Sequence, residues 1–461
     1  MVASDPTRPT VRGEDLTVDF TPHTDDDVAV MLEAVGLSQL SELFSHLPTG
    51  ALLDHLPGLP EPVSELEVMQ IVDSLGKRNQ SDLVCFAGGG YYDHYLPPVV
   101  TALTMRPEFA TAYTPYQPEV SQGVLQALFE FQSMVCEITG MDVANASLYD
   151  GATAAVEAVN LAVAATGRTA VWVSRGLAPR TRETIATFAA VRGIEVVEHP
   201  LVDGTTVWDE SAQPAPAAVI VAQPNYLGII EDYDRTVTVA HTAGALAVAS
   251  VDPMTLGLIR NPGTAGFDMT VAEGQPLGNP LSFGGPVVGL FATTSAHVRR
   301  IPGRLVGKTV DRDDNTAYVL TLRAREQDIR RAKASSNICT NQSLNALASA
   351  IHLAWLGPAG LREAAEQSAQ KAHYLADRLT ELPGVELVSD SAFVREFALT
   401  LPADPNKVIN AMAEHGYLAG ISLSGDYPEH SQAILVAVTE KRSRAELDGY
   451  VETLKEVLAH A

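Results

Sequence analysis

The sequence predicts an α/β protein in which a large domain with a mostly parallel sheet is followed by a smaller α+β domain. The first observation is that short apolar segments alternate with helical ones, which is typical of a sheet covered by helices on both faces. The predicted strands are residues 170–174, 195–199, 217–224, 246–252 and 268–274. The second observation is a change after about residue 320, where long helical segments lead into short strands and a last helix. We therefore predict a large domain over residues 81–320 and a small domain over residues 321–461.

Two helices are predicted ahead of these strands. From Gln122 onward, apolar residues recur at spacings of three and four, and Gly140 stands where a helix C-terminus favours glycine. A second helix covers about residues 150–166 and is again followed by a glycine, Gly167. Both helices belong to the large domain.

The N-terminal part of the chain is predicted to lie outside that domain. Residues 1–24 are polar and turn-rich, which indicates a flexible tail, and residues 25–80 show helical apolar spacing around a proline-rich segment. The N-terminus lacks a basic start followed by an apolar core, and the most apolar later run contains Glu157 and Asn160. We predict neither a signal peptide nor a membrane span.

Composition narrows the classes of function. The 461 residues are 46% hydrophobic and 19% charged, as in a soluble globular protein, and the formal charge of −25 would repel nucleic acids and anionic lipid surfaces. Cys85, Cys136 and Cys339 are far apart in sequence and form neither a CxxC pair nor a disulfide framework, which favours a reducing cytoplasm. The histidines lack metal-ligand spacing, so no metal site is predicted.

The start of the second helix offers a candidate anion site. Asp150, Gly151 and Thr153 stand where free backbone N–H groups and the helix dipole favour a phosphate. The alternative is an N-cap aspartate followed by small residues that allow close helix packing.

Asp252 ends an apolar strand, so its carboxylate is expected at the carboxyl edge of the sheet, where ligands of open α/β folds bind. There it could pair with a protonated pyridine nitrogen, as an electron-sink cofactor requires. The alternative is a turn-forming aspartate. The helix start, Asp252 and the strand end Gln223–Pro224–Asn225 together resemble the large domain of fold type I pyridoxal phosphate enzymes, the aspartate aminotransferase group.

The lysine that anchors the cofactor in such enzymes is missing from the expected place. Residues 78–307 contain no lysine, although the anchor is expected some tens of residues after Asp252, in the region around Ser282. Lys308 is the first lysine that follows and remains an alternative as a displaced anchor.

Two tyrosine-rich segments are the least generic parts of the chain. Residues 86–98 contain three consecutive glycines followed by Tyr91, Tyr92, Asp93, His94 and Tyr95, and residues 108–123 read EFATAYTPYQPEVSQG. Such density suggests a site or an interface, in which His94, paired with Asp93, could act as an acid or base. The alternative is a rigid loop whose tyrosines are packed as half-buried supports.

Long motifs then identify a family. The runs YYDHYLPPVV, EFATAYTPYQPEVSQGVLQALFEFQSMVCEITGMDVANASLYDGATAAVEA, VAEGQPLGNPLSFGGP and YVLTLRAREQDIRRAKASSNICTNQSLNALASAI strongly resemble the glycine decarboxylase of the glycine cleavage system. Within it they are similar to the α chain of the two-chain P-protein. The resemblance covers about residues 25–460.

This resemblance implies an enzyme that is active only as a complex. In the family, pyridoxal phosphate is attached to a lysine of the β subunit, and the α subunit completes the active site. Glycine is decarboxylated, and the aminomethyl group passes to the oxidised lipoyl arm of the H-protein, whose disulfide accepts the electrons. The implied partners are therefore the β subunit, H-protein and glycine.

The resemblance also suggests roles for residues. Those implied to line a cleft shared with β are Tyr91, Tyr92, His94, Tyr113, Tyr116, Gln117 and Glu119. Asp150, Gly151, Thr153 and Asp252 are implied to be cofactor-binding positions, or degenerate relics of them that now hold the subunit interface. A basic group of Arg299, Arg300 and Arg304 could serve as a dock for another protein. Two further interpretations stay open: a self-sufficient pyridoxal enzyme that uses Lys308, and a non-catalytic assembly subunit.

Overall fold

The computed structural model describes residues 23–48, 50–53 and 58–460. Apart from His23 and Thr24, the tail predicted for residues 1–24 lies outside the described residues. The chain divides into two compact units, Met1–Gln80 and Ser81–Ala461, which are described separately.

The smaller unit contains the helices α1 (Asp25–Ala34) and α2 (Glu65–Gly76). Each begins with a capping box, because the side chains of Thr24 and Ser64 accept a hydrogen bond from the backbone N–H three residues later. Both helices fall in the segments where helical spacing predicts them.

The larger unit contains the other helices and the strands of the described chain. Its helices are α3 (Pro98–Thr104), α4 (Pro107–Ala110), α5 (Gln122–Thr139), α6 (Gly151–Thr166), α7 (Pro179–Arg192), α8 (Tyr233–Thr242), α9 (Pro262–Ala265), α10 (Gln327–Arg330), α11 (Ser343–Thr380), α12 (Pro405–Glu414) and α13 (Arg444–His460). Its strands are β1 (Val84–Cys85), β2 (Val143–Ala144), β3 (Ala170–Ser174), β4 (Glu195–His199), β5 (Leu201–Val202), β6 (Thr205–Thr206), β7 (Ala218–Gln223), β8 (Leu246–Val251), β9 (Met269–Glu273), β10 (Gly289–Thr293), β11 (Leu305–Val310), β12 (Thr316–Thr321), β13 (Glu386–Leu387), β14 (Glu396–Thr400), β15 (Tyr417–Leu418), β16 (Ile421–Ser422) and β17 (Ala433–Ala437).

A seven-stranded sheet in the order β2-β10-β9-β8-β7-β3-β4 forms the centre of the larger unit. The five predicted strands are all present and pair in parallel, whereas β10 is antiparallel to both of its neighbours. In the register, Val251 at the end of β8 lies opposite Gln223 on β7 and Ala272 on β9. The next residues, Asp252 and Glu273, therefore come to the same carboxyl edge of the sheet.

Helices cover both faces of this sheet. Successive side chains of a strand point to opposite faces, so each strand contributes to the cores on both sides. On β7, Val219 and Val221 belong to the core beneath α5, whereas Ile220 belongs to the core beneath α6. Helix α5 ends at Gly140 and α6 at Gly167, both in the left-handed conformation, so these two predicted helix ends are confirmed.

A second, smaller sheet is antiparallel and has the order β13-β14-β17-β16. It packs with α12, α13 and the second half of α11 around a separate core. Strand β1 pairs with β15 of this region, and the Phe86 ring lies 4.6 Å from the Tyr450 ring. The segment around β1 therefore belongs to the smaller core, although it precedes the strands of the large sheet in sequence.

Helix α11 joins the two cores. Its first half packs in the large core, and its second half packs in the small one. Gly357, with φ 61° and ψ −179°, interrupts the helical geometry directly before Pro358. By length and composition, α11 is the one helix of the described chain that could cross a membrane, and 44% of its apolar window is buried inside the fold. Its packing in both cores accounts for that apolar character.

Candidate functional site

A cavity of about 110 Å³ opens at the carboxyl edge of the large sheet, beside the ends of β7, β8 and β9. The glycine-rich segment before α3 and the N-termini of α6 and α7 form its other walls. We call it the edge cavity; its lining includes Tyr91, Tyr92, Gly151, Arg180, Asp252 and Glu273. Four of the residues predicted from sequence, Tyr91, Tyr92, Gly151 and Asp252, thus meet in one place.

The first turn of α6 is capped by side chains of this chain. Asp150 Oδ1 accepts a hydrogen bond of 2.7 Å from the Thr153 N–H, and Thr153 Oγ1 accepts one of 3.3 Å from the Asp150 N–H. The carboxylate of Glu273 accepts from the Gly151 N–H at 3.0 Å and from the Gln275 N–H at 2.9 Å. Asp150 and Thr153 therefore form a capping box. This agrees with the alternative interpretation of the motif, an N-cap aspartate at the start of the helix.

The position of Glu273 does not fit the phosphate of pyridoxal phosphate. Its carboxylate already occupies the helix N-terminus, and burial raises the pKa of Glu273 to about 7. A Cβ on Gly151 would lie 2.7 Å from the Glu273 backbone nitrogen, so glycine is required for this close approach. A phosphate brought to the same amides would have to displace the Glu273 carboxyl group from its hydrogen bonds with the Gly151 and Gln275 N–H groups. In this chain Asp150, Gly151 and Thr153 form a helix start that is capped from within and bound by Glu273, and their role toward the cofactor stays a prediction.

Asp252 is paired with an arginine from the smaller core. Its carboxylate forms a salt bridge with Arg395, whose side chain is only 2% exposed. The Arg395 guanidinium also lies 3.5 Å from the centroid of the Tyr92 ring. The carboxylate that could pair with a pyridine nitrogen is therefore neutralised within the chain, and this contact links the two cores.

Tyr92 is the centre of a buried network. Its hydroxyl donates to Glu396 Oε2 at 2.8 Å, and the Gly89 N–H donates to Glu396 Oε1 at 2.7 Å. Its backbone N–H donates to Gln275 Oε1 at 2.9 Å. A Cβ on Gly88 would lie 2.2 Å from Glu396 Oε1, which explains a glycine there. Burial raises the pKa of Glu396 to about 7.

His94 lies behind the edge cavity and does not line it. Its Nδ1 is 2.6 Å from Glu440 Oε2, and its Nε2 contacts Arg395. Burial and the neighbouring Arg395 guanidinium lower the pKa of His94. Burial favours a raised pKa for Glu440, but the bonds from His94 and from the Tyr95 N–H outweigh it and lower that pKa to about 2. His94 is thus placed to orient Arg395.

The Asp93–His94 pair considered from sequence does not form. The carboxylate of Asp93 instead binds Lys441 at 2.7 Å and Arg442 at 2.8 Å. Asp93 and His94 are adjacent in sequence, yet they bind different partners, which lie 348 and 346 residues later in the chain.

Tyr91 and Arg180 form the polar wall of the edge cavity. The Arg180 guanidinium lies 5.0 Å from the centroid of the Tyr91 ring. Burial raises the pKa of Tyr91 to about 12, so the hydroxyl is a hydrogen-bond donor at neutral pH.

None of the seven lysines, all of which are described, lines the edge cavity. Lys308 is exposed on the β11–β12 hairpin, opposite Tyr318. In the region where an anchor is expected, Ser282 lies on an exposed loop, whereas Glu273, the last residue of β9, lines the edge cavity. The hypothesis of Lys308 as an anchor has no support in this geometry.

The second tyrosine-rich segment lies apart from the edge cavity. Tyr113 is 73% exposed and shares a hydrogen bond of 3.1 Å with Thr340 Oγ1. Tyr116 is 39% exposed and packs against arginine side chains, while Gln117 and Glu119 are exposed beside it. Within this chain, these four predicted residues do not join the residues of the first segment.

The sequence analysis missed six residues of the site and its surroundings: Arg180, Glu273, Gln275, Arg395, Glu396 and Glu440. Of these, Glu273 had a detectable signal, because like Asp252 it stands at the end of an apolar strand. Arg395 and Glu396 are consecutive buried charges at the start of β14, yet they contact His94 and Gly89, which lie 301 and 307 residues earlier in the chain. No local pattern indicates such pairs.

The described residues include no group of three or more His, Cys, Asp or Glu side chains placed to hold a metal ion. The three cysteines are free.

Comparisons with known proteins agree over nearly the full chain. The family described as Glycine cleavage system P-protein matches residues 19–454. A Prosthecochloris aestuarii protein named probable glycine dehydrogenase (decarboxylating) subunit 1 is 48% identical over 441 residues, which are 94% of this chain and 99% of the relative.

Solved structures extend the similarity to the fold. A crystal structure of glycine decarboxylase (P-protein) of the glycine cleavage system, in inhibitor-bound form, has 46% sequence identity and a TM-score of 0.89, covering 95% of this chain and 100% of that one. A glutamate decarboxylase from Lactobacillus brevis, with 13% identity, a TM-score of 0.67 and coverage of 92% and 97%, shares the fold alone. The predicted fold type I architecture is confirmed.

Proposed function

The chain belongs to the glycine cleavage system P-protein family, and from this premise we propose that it is the glycine decarboxylase subunit that does not carry the cofactor lysine. It is a subunit of glycine dehydrogenase (decarboxylating), and the relatives' name, subunit 1, implies a second subunit. In this proposal the companion chain holds pyridoxal phosphate, which supplies the electron sink for decarboxylation of glycine. The aminomethyl group then passes to the lipoyl arm of H-protein.

One observation carries this proposal: the carboxylate of Glu273 binds the N-terminal amide of α6, in a cavity that no lysine lines. The carboxylate of Asp252, which also lines the edge cavity, is likewise paired within the chain, with Arg395. Because Glu273 and Asp252 are bound within the chain and no lysine lines the cavity, we infer that the covalent cofactor site lies in another chain.

Exposed apolar side chains support a protein partner. Tyr113, Val120 and Phe283 are 73%, 78% and 95% exposed, respectively. Tyr113 and Val120 lie in one short segment, and exposed apolar side chains that lie together are typical of an interface that a partner covers. We propose that the companion subunit covers the segment from Tyr113 to Val120 and that Tyr113, Tyr116, Gln117 and Glu119 line the shared cleft.

The purified chain is expected to show no imine absorbance when mixed with pyridoxal phosphate, because no lysine reaches the edge cavity. Exchange of the glycine carboxyl with labelled carbon dioxide should start only when the companion subunit is added. Spectrophotometric titration and the exchange assay check the two parts of this prediction.

Activity of the isolated chain with glycine and H-protein would contradict the proposal. Reduction with borohydride followed by peptide mass spectrometry distinguishes the self-sufficient enzyme, since a pyridoxyl group on Lys308 would restore that alternative.

The Tyr113→Ala variant tests the shared cleft. Because the ring is largely exposed and makes one hydrogen bond, the free energy of unfolding of the isolated chain should change by less than about 0.5 kcal/mol. The exchange rate at saturating companion subunit should fall about tenfold or more, since a lost cleft wall misplaces the reacting groups.

Phe188→Ala is the matched control, because it removes a 45% exposed aromatic ring from α7, away from that segment. Full activity of both variants would instead favour a non-catalytic assembly subunit.

We also propose a cytoplasmic location. The three free cysteines, none of them in a disulfide, are compatible with a reducing compartment.

A further inference from the structure

Two arginines contact Tyr116 outside the edge cavity, and a third acts with them on the same carboxyl group, that of Glu326. The guanidinium carbons of Arg304 and Arg323 lie 5.3 and 5.1 Å from the centroid of the Tyr116 ring, and Arg304 Nη2 donates to the Tyr116 hydroxyl at 3.2 Å. Arg325 lies beside them and donates to the backbone carbonyl of Ile301. We call Arg304, Arg323 and Arg325 the guanidinium cluster.

Several donors of this cluster have no acceptor. The Nε atoms of all three arginines and Nη2 of Arg325 are buried and lack a hydrogen-bond partner among the described residues. Arg304 is only 3% exposed, and burial lowers the pKa of Arg325. Buried polar groups of folded proteins are almost always hydrogen-bonded, so a concentration of unmet N–H groups indicates a missing acceptor.

Carboxylates of the chain do not supply that acceptor. Asp328 binds Arg323 at 2.7 Å, but it leaves the other two guanidinium groups without a salt bridge. All three arginines act electrostatically on Glu326, yet burial raises the pKa of Glu326, and its Oε1 also lacks a partner. The cluster therefore keeps an excess of positive charge.

The surrounding segment adds to this charge. Residues 299–333 contain ten of the 31 Lys and Arg residues and five Asp and Glu residues, a local charge of +5 in a chain of −25. Arg330, Arg331 and Lys333 are exposed in the same segment. Arg304, Arg323 and Arg325 all act on the carboxyl group of Glu326. Several guanidinium groups in one place match the three oxygens and double charge of a phosphate monoester better than a single carboxylate does.

We propose that the guanidinium cluster is a binding site for a phosphate monoester. Two sources share this chemistry: a small phosphate free in solution, and the phosphate of the cofactor held by the companion subunit. The second source rests on the proposed function, whereas the first does not.

Calorimetric titration of the isolated chain with inorganic phosphate tests the first source. Arg325→Gln and Arg304→Gln should each weaken binding about tenfold or more, because a charge-assisted hydrogen bond is lost. Arg323→Gln, at a side chain 36% exposed, provides a variant expected to fold if the buried ones do not. Arg312→Gln is the matched control, because it removes an equal charge from a side chain that is 92% exposed and that, within the described part of the chain, pairs with Asp313.

³¹P NMR of the assembled complex tests the second source. If the cofactor phosphate reaches the cluster, Arg323→Gln should shift its resonance and weaken cofactor retention in equilibrium dialysis about tenfold, while Arg312→Gln changes neither. Phosphate binding by the isolated chain supports the free source, and a shift in the complex supports the cofactor source. The phosphate-site proposal is overturned if the cluster variants match the Arg312→Gln control in both experiments. In that case an active wild-type complex would still support the proposed function.

Discussion

Replacing Arg395 by methionine should lower the free energy of unfolding by about 3–5 kcal/mol, the cost of leaving a buried charge without its partner. Arg395 is 2% exposed, neutralises Asp252, covers the Tyr92 ring and contacts His94. Its loss would leave Asp252 uncompensated where the two cores meet. Urea denaturation of the isolated chain measures the effect.

Arg444→Met is the matched control for this prediction. Arg444 also pairs with an aspartate, Asp448, and lies 3.8 Å from the centroid of the Tyr374 ring, but it is 68% exposed. Its loss should cost about 1 kcal/mol or less. Adding Asp252→Asn to Arg395→Met should recover part of the lost stability. Equal losses for the Arg395 and Arg444 variants would show that burial of the first pair has no energetic consequence.

Replacing Glu273 by glutamine should flatten the pH dependence of stability. The pKa of Glu273 is about 7 in the folded chain and about 4.5 for an ordinary glutamate. Between these values the folded state holds a proton that the unfolded state has lost, so stability falls as pH rises from about 4.5 to 7. The difference corresponds to about 3 kcal/mol. Glutamine does not ionise, and this contribution should disappear.

Urea unfolding of wild type and Glu273→Gln at several pH values between 4 and 8 checks this result. Glu195→Gln, which removes one negative charge at an exposed position of β4, controls for the change in net charge. Parallel stability profiles for wild type and Glu273→Gln would contradict the assigned environment. Glu396, whose pKa is also about 7, should give a second, independent contribution of the same sign.

Much of the fold could be predicted because its signals are local. The strands β3, β4, β7, β8 and β9 are short apolar runs between helical segments, and α5 and α6 end at glycines that adopt positive φ. The small core was less predictable. Strand β1 joins it from a distant part of the chain, and α11 belongs to both cores.

The candidate site was predicted only in part. Tyr91, Tyr92, Gly151 and Asp252 do meet at the edge cavity. The bonds that define its chemistry join residues 122 to 346 positions apart, as in Gly151–Glu273 and His94–Glu440. Spacing along the chain carries no information about such pairs, because they depend on which helices and strands become neighbours.

The sequence alone determined the fold class, the family and the absence of lysine over residues 78–307, because each is a property of local pattern or of composition. Tertiary structure decided what replaces the lysine-bearing site. It brings Glu273 to the N-terminus of α6 and Arg395 to Asp252, so that the positions suited to a phosphate and a pyridine nitrogen are satisfied from within. It also separates the two tyrosine-rich segments, since packing places one at the edge cavity and the Tyr116 ring of the other against Arg304 and Arg323.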